Sequence, residues 1–181
     1  MTAFSTRDMC LIGMFVAIIA IMAQVSIPLP GGVPLTLQTF AIALAGFVLG
    51  SKNGLIAAII YIMLGAVGAP VFSHFGGGLP HIIGPTGGFI MSFPVIAYFA
   101  GIAANKKSTP LQVLWLSCGI AINHLCGMLY FSFVTSLPLT TAFTAAVLPF
   151  LPIDLVRMAL VLSLGNSLRR YIPTLSSVPK T

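Results

Sequence analysis

Asp154 and Arg157 stand three residues apart in a strongly apolar stretch, Pro149-Phe-Leu-Pro-Ile-Asp-Leu-Val-Arg157. That spacing puts both side chains on one face of a helix. The whole chain is 6% charged and has only two acidic residues, Asp8 and Asp154. A charge inside a membrane segment is expensive, and where one persists it marks a functional site by default. Two readings of the pair follow. The partners could neutralise each other and fix helix packing, or they could form a polar patch at the floor of a pocket. The second is favoured, because apolar side chains would pack helices without the cost of desolvating two ions.

Other polar residues are sparse. Gln38 is a neutral amide that can both donate and accept. It could read a polar ligand or join two helices. His124, beside Asn123, reads as a hydrogen-bonded interior residue. His74 and His81 sit in a loop. No pair has the spacing of a zinc protease, and no nucleophile–base set emerges. The glycine runs Gly76-Gly77-Gly78 and Gly84-Pro85-Thr86-Gly87-Gly88 are not followed by the Lys-Ser/Thr of a phosphate-binding loop. The chain has no catalytic, metal or ATP-hydrolysing motif of its own. Its three cysteines, Cys10, Cys118 and Cys126, lack metal-ligand spacing and read as small hydrophobes.

These residues must be positioned by membrane helices. Hydrophobic residues make up 58% of the sequence, and the mean hydropathy is +1.10. Ordinary soluble domains lie far below that. The net charge of +6 does not point to nucleic acid, because the cations form no basic stripe with interleaved aromatics. They fall instead at the ends of six apolar runs, roughly 9–27, 35–50, 54–69, 88–104, 111–134 and 147–168. Apolar spans follow the first one, so the N-terminus does not read as a cleaved signal peptide. The runs fill 1–181 as a single domain. With six spans, one side carries Arg7, Lys52, Lys106, Lys107, Arg169, Arg170 and Lys180. The opposite loops, about 28–34, 70–87 and 135–146, contain no Lys or Arg. The positive-inside rule then makes both termini cytoplasmic. Asp154 falls about one to two turns inside the outer surface, so a pocket there opens outward. The expected fold is all-α: six transmembrane helices in a lipid bilayer.

The loop over 70–87 is apolar yet rich in Gly and Pro, which suits a segment folded back over a cavity. Small residues recur at fourfold spacing in Gly13/Ala17, Ala41/Ala45 and Gly46/Gly50. Such faces let helices approach closely. Most pack a bundle, and Gly13/Ala17 is the candidate to dock another membrane subunit.

Three stretches together resemble the BioY family, the biotin-specific S components of energy-coupling factor transporters. They are Val33-Pro-Leu-Thr-Leu-Gln-Thr39, Gly84-Pro-Thr-Gly-Gly-Phe89 and Pro149-Phe-Leu-Pro-Ile-Asp-Leu-Val-Arg157. Their order and spacing cover essentially the whole chain. The resemblance implies a six-helix protein of the bacterial inner (cytoplasmic) membrane. Its outward-facing biotin pocket would be capped by the loops after spans one and three. Biotin would be the substrate, and no cofactor would belong to this chain. A membrane scaffold subunit and two ATPases would complete the usual transporter, so ATP would act only through those partners. The docking face of the family's first helix fits Gly13 and Ala17.

By the same resemblance, Asp154 and Arg157 match the acidic and basic pair of the family's sixth helix, and Gln38 matches its second-helix Gln. Asp154 would accept from the ureido N–H of biotin. Arg157 would donate to the ureido carbonyl or the carboxylate. Phe72, Phe75 and Phe89 are candidates to pack the rings. The glycine run departs from the family pattern: Gly76 or its neighbour Gly77 stands where related loops carry a polar residue. Ile90 stands where some members carry a basic one. Carboxylate recognition would then fall to backbone amides, to Ser73 or Thr86, or to Arg157. The alternatives are an S component for another small carboxylate vitamin and an integral-membrane enzyme. The missing nucleophile–base set and the shortage of carboxylates speak against the enzyme.

Overall fold

The computed structural model describes residues 5–29 and 31–171. Pro30 in the first loop and Lys180, one of the counted cations, lie outside them. Helix α1 (Thr6–Gln24) opens on a capping box: the Ser5 hydroxyl accepts from the Arg7 N–H, and Asp8 accepts from the Ser5 N–H. One of the chain's two carboxylates is therefore a helix cap. Two short strands follow, β1 (Ser26–Ile27) and β2 (Leu35–Thr36), antiparallel with Ser26 opposite Thr36. This ribbon departs from an all-α reading. Pro28 and Pro34 have no N–H to give a helix, and Gly32 adopts a positive φ of 79°. The chain therefore turns back on itself between α1 and α2.

Helices α2 (Gln38–Leu49) and α3 (Ser51–Ala66) meet at Gly50, whose φ of 84° suits glycine. A strap then crosses one end of the bundle through a 3-10 turn at Ser73–Phe75 and helix α4 (Leu79–Ile83). The apolar run over 88–104 is not one helix. It divides at Ser92 into α5 (Gly87–Met91) and α6 (Phe93–Ala104). Pro94 lacks the N–H that would reach the carbonyl of Ile90. The exposed polar groups are taken over by α7 (Thr109–Thr135). Asn123 donates to the Phe89 carbonyl at 2.9 Å and to the Ser92 hydroxyl at 2.7 Å. Ser92 in turn donates to the Gly88 carbonyl at 2.7 Å. The stretch over 135–146 is also partly helical, as α8 (Leu139–Ala146), and α9 (Leu151–Tyr171) closes the described chain.

By length and composition α1, α7 and α9 can cross a membrane, whereas α2, α3 and α6 are apolar but shorter, at 12, 16 and 12 residues. Helix α2 is buried almost all round, which places it at the centre of the bundle. Gly46 on α2 and Gly54 on α3 allow this. A Cβ on Gly46 would lie 2.0 Å from the Ala97 carbonyl of α6, and one on Gly54 would lie 2.4 Å from Gly46 itself. Around this centre the outer faces are apolar, with Ile21, Phe133, Leu155 and Val156 exposed. Such a surface suits lipid.

Candidate functional site

Helix α9 begins just before Asp154, so the carboxylate sits in its first turn, where the helix dipole favours an anion. Asp154 and Arg157 point away from the exposed Leu155 and Val156 and are each only 5% exposed. Arg157 Nη1 donates to Asp154 Oδ1 at 2.7 Å. The other carboxylate oxygen, Oδ2, lies 2.6 Å from Nε2 of His124 on α7. Arg157 Nη2 donates to the Thr36 carbonyl in β2. Three separate parts of the chain are thus tied to one carboxylate and its arginine.

This cluster adjoins a cavity between the helices and the strap. Arg157 and His124 line it, as do Thr36, Gln38, Thr39 and Asn123. Its apolar walls come from Phe72, Phe89, Ile90, Phe93, Phe150 and Val33. The strap contributes Phe72, Ser73, His81 and Thr86. A second, smaller space shares Thr39, Asn123, His124 and Arg157 with it, and Asp154 lines only this second part. Three buried polar atoms on shared lining residues have no hydrogen-bond partner: Thr39 Oγ1, His124 Nδ1 and Arg157 Nε. Buried polar groups are normally satisfied. These three atoms gather on residues shared by the two spaces.

The sequence-derived candidates divide as follows. Gln38 lines the cavity and also joins helices: its amide donates to the Tyr61 hydroxyl at 2.7 Å, which donates to the Val71 carbonyl at 2.8 Å. The helix-joining reading of Gln38 is thus seen directly, on a side chain that also lines the cavity. Phe72 is 1% exposed and stands edge-on to Tyr61, with centroids 5.6 Å apart. Phe89 lies edge-on to His124 at 6.3 Å. Thr86 reaches the wall, and its hydroxyl points to the His81 carbonyl at 3.5 Å.

Phe75, Gly76 and Gly77 do not line the cavity. Phe75 is 72% exposed, so it is corrected as a ring-packing candidate. Gly76 and Gly77 serve the strap's fold: a Cβ on Gly76 would meet His81 at 2.2 Å, and one on Gly77 would meet the Ala69 carbonyl at 2.4 Å. Gly13 and Ala17 lie on α1 away from the cavity, both exposed.

Several wall residues escaped sequence reasoning. Thr39 directly follows Gln38, and Phe150 lies within the motif that carries Asp154, so both had a nearby signal. His124 was visible as a polar residue in an apolar run, but nothing local pairs it with a carboxylate thirty positions away. Gln24 gave no signal. It ties the strap to α1, donating to the Phe72 carbonyl at 3.1 Å and accepting from the Phe75 N–H at 2.8 Å.

Residues 1–174 match the BioY family. A protein of Pyrococcus horikoshii called a probable biotin transporter BioY is 38% identical, over 90% of this chain and 96% of its own length. The biotin transporter BioY of Thermotoga maritima is 35% identical, over 91% and 96%. Among solved structures, an S-component for biotin from an ECF-type ABC transporter superposes with a TM-score of 0.82. That match is 25% identical and covers 93% of this chain and 95% of the other. With apolar helices of this kind, these likenesses make the chain a multi-pass membrane protein. They also bear out the reading of a transport component over an enzyme.

Proposed function

The chain belongs to the BioY family, and on that premise we propose that it binds biotin and serves its uptake as the substrate-specificity component of an energy-coupling factor transporter. One observation carries the reading: likeness to a solved biotin S-component runs through 93% of the chain. Biotin matches the chemistry of that cavity. Its ureido ring has two N–H donors and a carbonyl, its thiophane ring is apolar, and its tail ends in a carboxylate. The rings lie among Phe72, Phe89 and Phe150. Arg157, held by Asp154, donates to the ureido carbonyl, and Gln38 adds a neutral amide on the facing helix. The carboxylate lies toward the strap, near Ser73 and Thr86, because Ile90 brings no charge to that wall.

Six spans, both termini on the cytoplasmic side and a pocket facing outward complete the reading. The cation count across the loops supports it. So does Arg169, which donates to the Ala104 carbonyl and to Asn105, drawing the last turn of α9 to the Lys106–Lys107 end of α6. Gly13 and Ala17 then dock a membrane scaffold subunit, and two ATPases joined to that scaffold supply the energy. The chain itself holds no cofactor, and its place is the cytoplasmic membrane. The test is uptake of labelled biotin by a biotin-requiring strain that carries the chain with those partners. Accumulation above the empty strain is expected. No accumulation, with the chain in the membrane, contradicts the proposal.

A further inference from the structure

We propose that Gln24, the last residue of α1, is a positioning residue that latches the strap over the cavity and so sets how fast a ligand enters and leaves. The inference rests on the binding reading above, but it concerns a residue outside the cavity lining. The Gln24 amide meets three backbone groups at once. Its Nε2 donates to the Phe72 carbonyl at 3.1 Å and to the Ala20 carbonyl at 3.0 Å, and its Oε1 accepts from the Phe75 N–H at 2.8 Å. A carbonyl only accepts and an N–H only donates, so the partners fix which way the amide faces. Phe72 and Ser73, beside these bonds, are the strap's contribution to that side of the cavity.

The segment that Gln24 holds is strained. His74 and Phe75 adopt φ of 57° and 55°, in the left-handed region that residues with a Cβ seldom enter. Two in succession persist only where their surroundings hold them. Gln24 takes one bond on each side of His74. The turn also closes on itself: the Phe72 N–H donates to the Gly76 carbonyl at 2.9 Å, and the Gly76 N–H to the Ser73 carbonyl at 3.1 Å. The Phe72 ring is seated against Gly65, where a Cβ would lie 2.1 Å from it, and the Tyr61 hydroxyl donates to the Val71 carbonyl at 2.8 Å. The cavity is well covered: Phe72, Phe89, Ile90 and Arg157 of its lining are each 8% exposed or less. A ligand with the bulk of biotin passes when a wall moves, and the strap is the wall whose backbone is under strain. Every partner in the latch belongs to this chain, so it resists opening with and without a bound ligand.

Gln24→Met keeps the length of the side chain and loses all three bonds. Rates of biotin association and dissociation are measured on the stripped chain in detergent. Both should rise together, by about tenfold, with the Kd changed by less than about threefold. Unchanged rates overturn the latch. So does faster dissociation at an unchanged association rate, the mark of a pocket wall simply lost. Phe75→Gly is the converse variant, because glycine takes that φ without a Cβ clash and the Phe75 side chain is exposed. It should slow both rates by about threefold, in the wild-type chain and in Gln24→Met alike. Unchanged or faster rates overturn the strained latch, and this variant decides alone if Gln24→Met does not fold. Amide hydrogen exchange over residues 72–78 needs no ligand. Faster exchange in Gln24→Met than in the wild-type chain is expected, and equal exchange overturns the latch. No biotin binding by the wild-type chain overturns the functional reading instead, and the exchange comparison still decides the latch.

Discussion

Two regions drew attention in the sequence, and they end in opposite conditions. At the start of α9, Asp154 and Arg157 are 5% exposed, and each carboxylate oxygen has a partner within the chain. On α1, Gly13 and Ala17 are exposed, and nothing lies within 4 Å of where a Gly13 Cβ would be. The first region is closed and internally satisfied except at Thr39 Oγ1, His124 Nδ1 and Arg157 Nε, on residues that line the cavity. The second is open: among the described residues nothing packs over Gly13. An enclosed polar cluster can discriminate a small ligand, because a wrong ligand leaves buried groups unpaired. A bare small-residue face gains nothing until another helix covers it. Binding and assembly are therefore expected to separate in this molecule.

Substitutions can break that separation or sharpen it. The largest effect is expected from Asp154→Asn, which leaves Arg157 buried without its charge partner and loosens the tie to His124. A buried, charge-assisted contact contributes about 1.5–3 kcal/mol, so biotin affinity should fall tenfold or more, as read by titration, while the chain still inserts and assembles. Gly46→Leu forces a side chain into the Ala97 backbone and should lower stability by about 1–3 kcal/mol, seen as a lower melting temperature in detergent. Arg157→Lys keeps the charge but loses the planar fork that spans Asp154 and Thr36. A loss of about fivefold in affinity is expected, roughly 1 kcal/mol. Gly13→Leu should leave the biotin Kd unchanged within about twofold, while less scaffold subunit co-purifies. A Gly13 variant that binds biotin poorly would join the two regions and undo the comparison.

The ion pair was legible because a charge in an apolar run has few reasons to be there. The family was legible from three motifs whose order spans the chain. Asp8, the other carboxylate, looked unremarkable, and it proves to be a cap. The rest was hidden for physical reasons. His124 reaches Asp154 across two helices, and no local spacing encodes that meeting. The division of 88–104 at Ser92 was signalled by Pro94, but its stability depends on Asn123 from α7, a long-range partner. The β1–β2 ribbon is too short to show an alternating pattern. Gly76 and Gly77 carried a signal of close backbone approach, and the approach seen is to His81 and Ala69 within the strap.

The most direct measurement is isothermal titration of the detergent-purified chain with biotin after any bound ligand has been stripped, in parallel with Asp154→Asn. Binding in the nanomolar range by the wild-type chain, weakened at least tenfold in a well-folded variant, is the expected result. No binding by a stable, monodisperse wild-type sample, or equal affinity in both proteins, would contradict it.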